Sequence, residues 1–140
     1  MGLGLPRCLM LASTAVMLLL GTAHLLLTFY SHEFRPRDTV LESHMRDTSP
    51  RLSNQFSMWN AWVGYNASHS LGAIVFAVLY GYFALCHAEL LFHGRFLGLF
   101  GSVVLGSYLA LAWKYWFSSP LLGITLASLL YAGAFFAARF

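Results

Sequence analysis

Charge is scarce in this sequence. Only 9% of its 140 residues are Asp, Glu, Lys or Arg, against about 25% in ordinary soluble domains. A water-soluble fold of this length would have too few charges to cover its surface. The shortage is sharper by place. All five acidic residues, Glu33, Asp38, Glu42, Asp47 and Glu89, fall between the long apolar runs and none inside them. Ion pumps and proton-coupled exporters ordinarily rely on a carboxylate embedded in the membrane, so those classes find no support. Cysteine is nearly absent too. Cys8 and Cys86 form no CxxC pair, which removes a disulfide scaffold and a thiol redox motif; a single bridge between them stays geometrically open. There is no basic run and no basic–aromatic patch, so nucleic acid is not an expected partner. A nucleophile elbow, a phosphate-binding glycine loop and a dinucleotide fingerprint are all missing. So is any internal repeat, which leaves an inverted-repeat transporter unsupported.

What the chain has is apolar length. Hydrophobic residues make up 59% of it, and its mean hydropathy is +0.67. About 20 consecutive apolar residues cross the hydrocarbon core as a helix. Four stretches qualify: residues 8–30, 61–86, 96–113 and 120–138. The first follows a signal-like start, Met1 to Arg7, but is too long for an ordinary signal core and ends in no cleavage site, so it reads as retained. Strands of alternating pattern are missing, which excludes a barrel and leaves helices as the structure that satisfies its backbone in lipid. The expected fold is all-α, a four-helix transmembrane bundle forming a single integral membrane domain over residues 1–140.

Residues 31–58 form the main polar loop, within which Thr39–Met45 reads as a short helix capped by Asp38 or Thr39. The turn between the last two spans is short enough to force antiparallel neighbours. Four spans put both termini on one face. Arg7, Arg95 and Arg139 then oppose Arg35, Arg37, Arg46, Arg51 and Lys114, and this excess favours a cytoplasmic long loop. Lys114 closes the third span and snorkels toward that face. The pI of 9.1 suits anionic headgroups as neighbours.

Polar side chains inside spans cost free energy unless partnered, so they mark the candidate site. His24 lies in the last third of the first span, on a stripe with Gly21, Thr28 and Ser31. His69 lies in the first third of the second, on a stripe with Trp62, Asn66, Ala73, Phe76 and Tyr80. The two spans run in opposite directions, so both imidazoles fall at similar depth in the long-loop half. His24, Thr28, Asn66, Ser68, His69, Ser70 and Lys114 are the candidate ligand-binding residues. Three roles compete for them: interhelical hydrogen bonding that only holds the bundle, a pocket for a ligand or cofactor, and acid–base catalysis. Bis-histidine haem is one form of the second. No metal site is assigned, because His87-x-Glu89-x-x-x-His93 matches no zinc spacing. Asn66-Ala67-Ser68 fits a glycosylation sequon but lies too near the membrane to serve. Gly98, Ser102, Gly106 and Ala110, four apart, form a small-residue groove for a neighbouring helix of the bundle or a second copy.

GTAHLLLTF from Gly21 and WNAWVGYNASHSLG from Trp59 resemble the hallmarks of a family of short bacterial four-helix membrane proteins. The likeness extends to Arg35-Pro36-Arg37-Asp38 and covers most of the chain. It implies a four-helix fold in the bacterial inner (plasma) membrane, and picks out Gly21, His24, Trp62, Asn66, Ser68, His69, Ser70 and Gly72. No activity comes with it. Three functions follow from the residues. The chain binds a hydrophobic small molecule or cofactor such as a quinone, lipid or haem beside His24 and His69. Alternatively, it is a membrane enzyme using histidine acid–base chemistry on a lipid-like substrate, with Glu33, Asp38 or Glu42 as acidic partner. The third is an accessory subunit of a larger complex, docked through the groove on the third span.

Overall fold

The computed structural model describes residues 4–139, and the regular structure among them is all α-helix. Six helices follow one another: α1 (Gly4–Tyr30), α2 (Thr39–Asp47), α3 (Met58–Cys86), α4 (Ala88–His93), α5 (Arg95–Tyr115) and α6 (Ser118–Ala137). Four of them, α1, α3, α5 and α6, are long and apolar enough to cross a membrane. Each turns large apolar side chains outward: Leu19 is 71% exposed, Val75 62%, Leu99 68% and Leu129 66%. In water such faces would drive aggregation; against lipid tails they are matched. This is an integral membrane protein, and its outer surface contacts the bilayer.

The spans begin and end within a few residues of the sequence expectation, and the differences have local causes. Helix α1 takes in Pro6, near the beginning of its described range. Helix α3 starts at Met58, where Ser57 caps it and accepts from the Asn60 amide at 3.3 Å. Pro120 sits in the first turn of α6. The short loop helix is present as α2, with Asp38 as its N-cap: the carboxylate accepts from the Val40 amide at 2.9 Å. Helix α4 was not expected. It occupies the short stretch between the second and third expected spans, and it buries Ala88 and Leu91. Gly94 ends it, where a Cβ would stand 2.5 Å from the Leu90 carbonyl oxygen.

The chain forms two compact units. One joins the part up to Leu20 with the part from Ala73 onward; the other is Gly21–Gly72. In the first, all four long helices pack as a bundle. Ser13 of α1, fully buried, donates to the Ala127 carbonyl of α6 at 2.7 Å. Tyr80 of α3 donates to Leu97 of α5 at 2.7 Å, and Tyr131 of α6 donates to Gly98 of α5 at 2.8 Å. Between lipid-immersed helices there is no hydrophobic driving force, so close packing and such bonds hold the bundle. Replacing Ser13 by alanine is expected to cost about 0.6 kcal/mol, the average for such bonds. Unfolding in detergent measures it, with Ser107→Ala, an exposed hydroxyl bonded within its own helix, as the control. Equal costs would show that the Ser13 bond carries nothing.

The groove expected on α5 is only partly used by this bundle. Gly98 meets the Phe135 ring, but nothing lies within 4 Å of a Cβ at Gly106. Ser102 and Ala110 are exposed. The closest approach is instead at Gly101, off that stripe, where Tyr80 and Tyr131 press on the helix backbone. Cys8 and Cys86 are free and exposed.

Candidate functional site

The site lies in the Gly21–Gly72 unit, built from the end of α1, the loop with α2, and the start of α3. The loop is pinned where the Met58 amide donates to the Thr48 carbonyl at 2.8 Å, joining the end of α2 to the start of α3.

His24 is the hub. Its Nε2 lies 3.0 Å from Oδ1 of Asn66. The same amide donates through Nδ2 to the Trp62 carbonyl, one turn earlier, at 2.9 Å. A carbonyl accepts only, so the Asn66 amide must turn its nitrogen toward Trp62 and its oxygen toward His24. That oxygen also only accepts, so Nε2 of His24 carries the proton. The His24 ring stands between two others: Phe34 at 4.4 Å and the edge of His69 at 5.5 Å. Phe34 is held in place from α3, because the Trp62 indole donates to its carbonyl at 2.9 Å.

Of the seven candidate residues, five come together here. Thr28 donates to the His24 carbonyl at 2.8 Å, and Ser70, buried, donates to that of Asn66 at 2.8 Å. Together with His24, Asn66 and His69 they form the polar cluster. Ser68 points elsewhere: it is exposed and donates to the Tyr65 carbonyl at 3.0 Å. Two residues on from Asn66, it sits about 200° round the helix, a placement the sequence already contained. Lys114 belongs to the other unit, exposed near the end of α5, with Nζ 5.2 Å from the Tyr115 ring centre. The amide of Asn66 is committed at both ends, so the sequon is spent on structure. His24 and His69 meet edge to face with Nε2 of His24 on Asn66; two axial haem ligands would instead aim nitrogens at a metal between them.

Beside Phe34 opens a pocket of about 220 Å³. Its polar lining is Thr28, Ser31, Arg35 and Arg46, and its aromatic walls are Phe29, Phe34, Trp59 and Trp62, with Val63 completing it. The Arg46 guanidinium lies 4.2 Å from the Trp59 ring centre. Its Nε and Nη2 both donate to Oε1 of Glu42, at 3.1 and 2.6 Å. Nη1 of Arg35 stands 4.0 Å from that oxygen. These ion pairs are exposed and contribute roughly 0–1 kcal/mol; their effect is to hold Arg46 over the indole. Arg35, Phe34, Arg46 and Trp59 were missed in the sequence, where the adjacent Phe34 and Arg35 lie far from Arg46 and Trp59 and the four form no patch. The one visible signal was Glu42 and Arg46, four apart on a helix.

No known protein family, curated protein or solved structure matches this chain. The function is therefore argued from the site itself. Away from it, His87 meets the Tyr82 hydroxyl at 3.3 Å and His93 the Glu89 carbonyl at 3.0 Å. Among the described residues no group of three His, Cys, Asp or Glu is placed to hold a metal ion.

Proposed function

We propose that this protein binds a hydrophobic small molecule with a polar head, in the pocket between Thr28, Phe34, Arg46 and Trp62. The observation that carries this reading is the pocket's make-up: aromatic walls, two guanidiniums and a tethered phenylalanine that separates it from His24. At about 220 Å³ it is smaller than a pocket that swallows a whole ligand, about 300–1,000 Å³. It suits the head of an amphiphile whose tail stays in lipid, at the level where Trp residues mark the membrane interface. Membership in the family of short bacterial membrane proteins, and residence in the bacterial inner membrane, belong to the same proposal.

Acid–base catalysis is the weaker reading, because two of its three candidate acids are engaged elsewhere. Asp38 caps α2, and Glu42 takes the two arginines. Docking of a second copy or a larger complex has one support, the outward-facing surface around Gly106 and Trp113.

The test is native mass spectrometry and an absorption spectrum of protein extracted in mild detergent. Wild type is compared with Thr28→Trp, which fills the pocket, and with His24→Ala/His69→Ala. A bound species is expected in the wild type and lost from Thr28→Trp, with thermal stability kept. The histidine variant is expected to retain it in part, since Phe34 stands between. A wild type that carries nothing, or a species that Thr28→Trp retains, overturns the reading.

A further inference from the structure

Most of the pocket's uncommitted hydrogen-bond donors are guanidinium, and this narrows the ligand. The Thr28 hydroxyl spends its proton on the His24 carbonyl and the Ser31 hydroxyl on that of Leu27. Ser31 also accepts from the Glu33 amide. The Trp62 N–H is taken by Phe34. What remains is guanidinium, together with the Trp59 indole. The Arg35 guanidinium makes no hydrogen bond among the described residues and meets Glu42 only at 4.0 Å. Arg46 uses Nε and Nη2 on Glu42 and keeps its Nη1 edge. A neutral ligand such as a quinone or a sterol would face two cations, with the Trp59 indole as its one neutral donor. Among the described residues, Glu42 is the one carboxylate that pairs with them, so the group keeps a net charge of +1.

We propose that the head of the ligand is a phosphate ester, gripped by Arg35 and Arg46 together. This rests on the pocket reading above. The two arginines come from different elements, the loop before α2 and the last turn of α2, and both line one cavity. A single carboxylate bridging them repeats what Glu42 already does. A phosphate offers oxygens in several directions, so it takes a planar fork from each side at once. One negative charge on a phosphodiester balances the +1 left by Glu42. The aromatic walls sit where such a group lies in a bilayer, just outside the acyl region. The guanidinium already stacked on Trp59 loses little freedom on binding. The same chemistry is carried by a lipid headgroup and by a small soluble ester.

The experiment compares phosphatidylglycerol with diacylglycerol of the same acyl chains, added to the delipidated full-length protein in mild detergent and read by native mass spectrometry. Wild type is expected to retain phosphatidylglycerol about tenfold better, as charge-assisted bonds to two arginines allow. Arg35→Gln/Arg46→Gln is expected to bring that preference below about threefold, while Arg35→Lys/Arg46→Lys, charged but without the fork, falls between. Glycerol 3-phosphate supplied alone separates the sources. Millimolar ester that displaces the lipid makes a soluble ester sufficient, and lipid retained against it makes the ligand a lipid. Equal retention of both lipids by the wild type overturns the proposal, as does a preference that the glutamine variant keeps. Thr28→Trp separates the two levels of inference. If it abolishes retention of both lipids and the wild type shows no preference, the pocket stands and the phosphate falls. If it leaves retention of both unchanged, the pocket itself falls.

Discussion

Valine in place of Gly101 is expected to destabilise the protein by about 3 kcal/mol, combining the overpacking cost of a filled core with lost interhelical bonds. Gly101 is buried on α5 against two tyrosines. A Cβ there would lie 2.7 Å from the Tyr80 hydroxyl oxygen and 2.8 Å from Cζ of Tyr131. Neither ring has a free direction to retreat. Each hydroxyl is bonded to an α5 carbonyl one turn away, Leu97 or Gly98, and the rings pack on each other with centroids 5.8 Å apart. Room for a larger residue comes only by pulling a hydroxyl from its carbonyl in an apolar interior, or by moving α5 away from α3 and α6. Thermal and denaturant unfolding in detergent check the size of the effect. Gly106→Val on the same helix meets nothing within 4 Å and serves as the control. If the two variants unfold alike, the close approach at Gly101 is not what holds the bundle.

Loss of Trp62 is expected to reduce ligand retention by more than about tenfold, the size seen when an interface tryptophan is truncated. Its ring is a wall of the pocket, and its N–H fixes the Phe34 carbonyl across a loop of 28 positions. Trp62→Ala removes both. Trp62→Phe keeps an aromatic wall and removes only the tie, so a smaller loss of about fivefold follows from one hydrogen bond worth about 1 kcal/mol. Hydrogen exchange separates the two effects: both variants should speed exchange of the Arg35 amide, which now donates to the His32 carbonyl at 3.0 Å. The side chain is 42% exposed, so the fold should survive either change. Retention by Trp62→Ala equal to wild type would remove this pocket from the account.

The histidine cluster was legible because helical periodicity and depth are both counted along the chain. His24 and His69 are expected at matching depth on their spans, and the structure brings their rings to 5.5 Å, with Asn66 of the His69 stripe bonded to His24. Ser68 shows the limit of a looser habit: adjacency to His69 in sequence suggested a shared site, while the helix turned it outward. The small-residue stripe on α5 shows another. Spacing by four identifies a groove but not its occupant, and the residue that accepts neighbours is set by where Tyr80 and Tyr131 come to rest.

The sequence by itself determined that this protein lives in a membrane, crosses it with four helices, and carries a capped helix, α2, in its long loop. These follow from composition, run length and local capping, which need no partner to be read. The tertiary structure alone decided that Arg35, Arg46, Phe34, Trp59 and Trp62 enclose one pocket, and that Tyr80 and Tyr131 close on α5 at Gly101. Both depend on contacts between residues far apart in the chain. A loop's path is set by a few such contacts, here Met58 on Thr48 and Trp62 on Phe34, and no periodic pattern in the chain encodes them.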